Sequence, residues 1–129
     1  MTLKVLIVDD EPLARSRLRR LLGQCTAPAA EVVAEAANAT DALQWLGRGP
    51  VDLALLDIHM PGADGLKLAQ RLRERPDAPR VVFVTAHAQH ALQAFEVEAV
   101  DYLTKPVRLE RLQAALAKVQ RLQPVRPAP

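Results

Sequence analysis

The sequence predicts an α/β domain built around a doubly wound parallel sheet. Apolar runs of strand length alternate five times with segments of helical period. The runs are rich in Val, Ile and Leu and lack polar alternation, the pattern of strands covered on both faces. At 129 residues, half hydrophobic and a quarter charged, the chain fits one globular domain with a sizeable core.

The strands are expected at Leu3–Val8, Val32–Ala36, Val51–Leu56, Arg80–Val84 and Ala99–Leu103. The first helix is expected over Leu13–Leu22. It sets Leu18, Leu21 and Leu22 on one face, leaves Arg15, Arg17, Arg19 and Arg20 largely outside, and stops at Gly23. Asp41–Leu46, Leu66–Arg75 and Ala88–Glu96 follow as helices. The longest, Val107–Leu122, carries Leu109, Leu112, Leu116, Val119 and Leu122 mostly at 3–4 spacing. That stripe reads first as a cover for the sheet, and an extension into a dimer seam stays open. Of the two common orders for such sheets, the flavodoxin-like 2-1-3-4-5 suits five strands. The domain is expected to span residues 1–123. Residues 124–129, with three prolines, read as an extended linker or a frayed tail.

Composition excludes several classes. A net charge of +2, with acidic and basic residues mixed along the chain, gives no nucleic-acid grip to this domain alone. Cys25 is the single cysteine, so there is no internal disulfide and no thiolate metal site; it reads as a small apolar residue. Val5–Val8 is too short for a signal peptide or a membrane span, which makes a cytoplasmic protein the default.

The strand ends carry the chemistry. Asp9-Asp10-Glu11 follows the first strand, Asp57 the third, Thr85 the fourth, and Thr104-Lys105-Pro106 the fifth. In a parallel sheet all these ends share one edge, and ligands bind at the switch point between strands 1 and 3. Each residue also has an ordinary structural reading. Asp9 or Asp10 can cap the first helix ahead of Pro12, Asp57 can begin a turn, Thr85 can cap a helix, and Lys105 can be a solvated lysine. Their joint placement favours a site, and Lys105 is one of only four lysines in an arginine-rich chain. Three converging carboxylates need a compensating cation, and oxygen donors suit Mg²⁺. Asp57, central and backed by a Gly/Pro loop, is the best nucleophile for an aspartyl phosphate; Lys105 and Thr85 would offset charge on the phosphoryl oxygens. With no Gly-rich phosphate loop, ATP is not expected as direct donor.

The segments Leu3–Glu11, Leu55–Gly65, Val82–Ala86 and Asp101–Pro106 together resemble the receiver domain of two-component response regulators. The resemblance covers residues 3 to about 122. It implies Asp57 as phosphoacceptor, Asp9 and Asp10 as acidic residues of a Mg²⁺ site, and the His59 backbone carbonyl as a further ligand. It also implies Thr85 and Lys105 as phosphate contacts, Tyr102 as a switch aromatic coupled to Thr85, and a cis bond at Lys105–Pro106. Asp10–Arg15 and Ala94–Tyr102 look most like receivers that precede LytTR-type DNA-binding domains. His59 and His87 fall at variable positions near the centre and read as loop histidines.

The function so implied is a signalling switch rather than an enzyme, with only self-catalysed phosphoryl transfer and dephosphorylation. A sensor histidine kinase would supply the phosphoryl group. The helix 4–strand 5–helix 5 face would respond, with a homodimer placed there if one forms, and DNA would be reached only through an output domain outside these residues. A Mg²⁺-dependent phosphohydrolase is the rival, but it would place its nucleophile after strand 1 with a second Asp two residues on; here the pair is adjacent and residue 11 is Glu. A receiver-like module that is never phosphorylated would typically lack one of these key residues. Flavin binding would set a phosphate against acidic residues.

Overall fold

The computed structural model describes residues 2–60, 63–86 and 91–122. In chain order these form β1 (Thr2–Val8), α1 (Pro12–Gly23), β2 (Ala29–Ala36), α2 (Ala39–Leu46), β3 (Leu53–Leu56), β4 (His59–Met60) and β5 (Ala63–Asp64). They continue with α3 (Gly65–Arg73), β6 (Arg80–Thr85), α4 (Ala91–Glu96), β7 (Asp101–Thr104) and α5 (Leu109–Leu122). His87, residues 88–90 of the expected fourth helix and the tail 123–129 lie outside the described residues.

One parallel sheet runs β2-β1-β3-β6-β7. Counting these five strands alone gives the expected flavodoxin-like order 2-1-3-4-5. β4 and β5 make a separate antiparallel pair. The sequence pattern does not mark it, because two residues per strand carry no alternation to read.

The sheet is covered on both faces, which explains the continuous apolar runs. Leu3, Val5 and Ile7 of β1 pack with Leu18 and Leu22 of α1 and with Leu112, Leu116 and Val119 of α5. Leu6 and Val8 of the same strand pack on the other face with Ala42 and Leu46 of α2, Leu68 and Leu72 of α3, and Ala94 of α4. In α5 the middle of the apolar stripe is buried, whereas Leu122 is half exposed. Cys25 is buried, its Sγ 3.5 Å from the Leu21 carbonyl oxygen, and burial raises its thiol pKa. No helix among the described residues is long and apolar enough to cross a membrane.

Several boundaries differ from the expected ones for local reasons. α2 starts two residues early because the Asn38 side chain accepts the Asp41 N–H at 2.9 Å, an N-cap. β3 begins at Leu53, after Asp52, whose carboxylate accepts the Lys4 N–H at 2.8 Å. β7 begins at Asp101 because the turn after α4 extends further: Glu98 adopts φ 59°, and the Ala99 N–H reaches the Ala94 carbonyl at 3.1 Å. Arg15 does not point outward with its neighbours. Its side chain is 19% exposed and folds back toward the end of β1.

Candidate functional site: an acidic cluster at the carboxyl edge of the sheet

Backbone pairing continues one residue beyond the strands and fixes the site. The Asp9 N–H donates to the Ala36 carbonyl at 3.0 Å, the Asp57 N–H to the Val8 carbonyl at 2.9 Å, and the Lys105 N–H to the Thr85 carbonyl at 2.8 Å. The alternative role for Asp9 or Asp10, capping α1, is not seen: the N-cap is Glu11, with no side-chain cap bond, and Pro12 opens the helix.

Asp9 and Asp57 are both buried, at 1% and 5% exposure. Asp10 is half-buried, and the three carboxylates offer oxygens that all lie within 4.8 Å of one another. The Lys105 ammonium bridges two of them, donating to Asp9 Oδ2 at 2.8 Å and to Asp57 Oδ2 at 3.3 Å. The remaining oxygens take backbone donors. Asp9 Oδ1 accepts the Glu11 N–H at 2.9 Å, and Asp57 Oδ1 accepts the His59 N–H at 3.3 Å. Arg15 Nη1 donates to the Asp9 carbonyl at 2.6 Å, with its Nε paired to Glu35 at 3.3 Å.

Burial pushes the Asp57 carboxyl above the usual range, with Lys105 pulling the other way and the Asp9 charge adding to the rise. For Lys105, burial alone favours the neutral amine. The hydrogen bond to Asp9 and the charges of Asp57 and Asp9 outweigh it and hold the ammonium above its ordinary pKa. When all three carboxylates are ionised, one ammonium leaves two negative charges uncompensated. That deficit, in a set of hard oxygen donors, fits a divalent cation such as Mg²⁺.

Thr85 is fully buried at the carboxyl end of β6, on the strand next to β3 and bonded through its carbonyl to Lys105. Tyr102 lies on the edge strand β7 opposite Phe83, half-buried against the α2–α3–α4 side of the core rather than among the carboxylates. His59 is exposed on β4, and its main-chain N–H faces Asp57. The Lys105–Pro106 bond is cis, as is Ala27–Pro28, which nothing in the sequence had singled out. The residue sequence reasoning passed over is Gly65. A Cβ there would sit 2.1 Å from the Asp57 carbonyl oxygen, so only glycine lets α3 start this close to the 57–58 segment. Its place at the end of the Gly/Pro loop was the available signal.

The model of the response regulator receiver domain matches residues 5–117. The chain belongs to that family. Over 119 residues it is 52% identical to the positive alginate biosynthesis regulatory protein of Pseudomonas aeruginosa, covering 92% of this chain and 48% of that protein. It is 42% identical to the sensory transduction protein LytR of Staphylococcus haemolyticus, covering 92% and 45%. The response regulatory domain of mrkE from Klebsiella pneumoniae superimposes with a TM-score of 0.81 at 39% identity, covering 92% of this chain and 95% of that one. This receiver domain spans about half the length of the curated relatives it matches.

Proposed function

We propose that this receiver domain accepts a phosphoryl group on Asp57 from a sensor histidine kinase and switches an output domain, with no chemistry beyond its own phosphorylation and dephosphorylation. The observation that carries the reading is the Lys105 ammonium joined to both Asp9 and Asp57 beside Asp10, with all three carboxylates within reach of one cation. A carboxylate oxygen of Asp57 forms the bond to phosphorus as the bond from phosphorus to the kinase imidazole nitrogen breaks, leaving an aspartyl phosphate. Asp9, Asp10, Asp57 and the His59 carbonyl would hold Mg²⁺, which would offset charge on the phosphoryl oxygens. Lys105 moves its donors from carboxylate to phosphoryl oxygen, and the Thr85 hydroxyl contacts another.

The switch then runs through Thr85 and Tyr102 to the α4–β7–α5 face, the surface on which we place output coupling and any homodimer. We assign residues 1–123 to the receiver and 124–129 to a Pro-rich linker or tail, and place the protein in the cytoplasm. A relative in Staphylococcus aureus named a transcriptional regulatory protein LytR supports a transcriptional output, which we place in a further DNA-binding domain of the LytTR type. The test is phosphotransfer from an autophosphorylated histidine kinase, or from acetyl phosphate, followed by intact mass. A phosphoryl increment that needs Mg²⁺ and is lost in chelator is expected; an increment indifferent to chelator would overturn the metal assignment.

A further inference from the structure

A cavity lies at the end of the sheet opposite the acidic cluster. Its volume is about 250 Å³, and Val33, Ala34, Trp45, Pro50 and Val51 form its walls. It owes its shape to an irregularity in β2. Val5 pairs with Val32 but Leu6 pairs with Ala34, so Val33 is an extra residue. Ala30 and Val32 accordingly pack on the α1–α5 side of the sheet, whereas Ala34 and Ala36 pack on the other. The bulge leaves Val33 37% exposed on the edge strand and puts two successive residues on one cavity wall.

Two cations line this apolar space. Lys4 comes from β1, and Arg48, from the turn after α2, stacks 4.7 Å above the Trp45 ring. Among the described residues neither is ion-paired: every salt bridge found there joins other groups. Glu31, opposite Lys4 in the strand register, is exposed and forms no such pair. Apolar walls with two unneutralised cations and no acid in the lining suit one kind of occupant. The volume falls just under the range that holds drug-sized ligands, so that occupant is small.

We propose that this cavity binds a small amphipathic carboxylate, its ring or chain against Trp45 and Val33 and its anionic head between Lys4 and Arg48. The site is separate from the acidic cluster: Lys4 lies on β1 and Asp9 just past its end, five residues on and roughly 16 Å along the strand direction. The inference does not depend on phosphorylation of Asp57.

Trp45 is the only tryptophan and reports binding directly. Phenylacetate is titrated against the intact chain by tryptophan fluorescence and by calorimetry, with phenylacetamide as the neutral isostere. A saturable response is expected for the carboxylate, with the amide about five- to tenfold weaker, since partly exposed cations contribute modestly to each charge contact. Lys4→Gln and Arg48→Gln should each weaken phenylacetate and leave phenylacetamide unchanged, with phosphoryl uptake at Asp57 retained as the check on folding. Affinity rather than signal amplitude is the readout, because the Arg48 variant also alters the ring's surroundings. No saturable binding, equal affinity for acid and amide, or variants that bind phenylacetate as tightly as the parent chain would each overturn the proposal.

Discussion

Gly65→Ala probes how the fold holds Asp57. An ideal Cβ at residue 65 would lie 2.1 Å from the Asp57 carbonyl oxygen and 2.9 Å from both the Asp57 carbonyl carbon and Ile58 Cα. All three are main-chain atoms, so no rotamer change relieves the overlap. Instead the start of α3 and the 57–58 segment must separate by roughly 1 Å, which also stretches the 2.9 Å bond from the Gly65 N–H to the Ile58 carbonyl. Overpacking of this kind costs about 1–3 kcal/mol and a weakened hydrogen bond up to about 1 more. A loss of about 3 kcal/mol lowers Tm by roughly 9–15 °C in a domain of this size. If Asp57 is the acceptor as proposed, its displacement by roughly 1 Å should also slow phosphoryl uptake on the order of a hundredfold. Thermal unfolding by circular dichroism and the initial rate of labelling by acetyl phosphate measure the two effects. Gly23→Ala, where an added Cβ meets nothing within 4 Å, is the control and should change Tm little. A Gly65→Ala protein that melts and labels like the parent would refute the close-approach reasoning.

Lys105→Met removes the cation between two buried carboxylates, and should destabilise the chain by about 2–3 kcal/mol in chelator, with part of the loss recovered by Mg²⁺. Thermal melts in both conditions check this, and an equal loss in each would contradict it. Asp101 provides the pH test. Burial raises its pKa, but hydrogen bonds from Arg111, the Tyr102 N–H and Lys118 outweigh it and bring the carboxyl down to about 2 from 3.8. A depressed folded-state pKa gives stability that is present above the unfolded value and lost as pH falls through the folded one. Asp101→Asn should therefore cost about 1–2 kcal/mol at neutral pH, after allowance for partners that are nearly half exposed. The gap to the parent chain should close between pH 4 and pH 2 in denaturant titrations; a gap constant over that window would refute the assignment.

Much of this architecture was legible because two-sided burial writes itself as uninterrupted apolar runs. Five such runs placed Asp9, Asp57, Thr85 and Lys105 at strand ends, and parallel pairing carried those ends to one edge. Geometry at finer scale was not readable. Nothing in the helical pattern distinguishes Arg15, which reaches back to the Asp9 carbonyl, from Arg17 or Arg19, since all three read as outward positions. The late start of β7 depends on the left-handed Glu98, a residue type that gives no signal for that conformation. The bulge at Val33 lies in a run whose apolar and small residues fit either register. At Gly65 the loop composition marks a turn, while the need for space arises from a main-chain atom eight residues earlier.

The central claim is that Asp57, and not its acidic neighbours, becomes phosphorylated. Borohydride reduces an aspartyl phosphate to homoserine, so trapping the acetyl phosphate-treated protein and sequencing its peptides by mass locates the modified residue. Homoserine at position 57, absent from Asp57→Asn, is the expected result. Homoserine at position 9 or 10 instead, or a phosphoryl increment undiminished in Asp57→Asn, would contradict it.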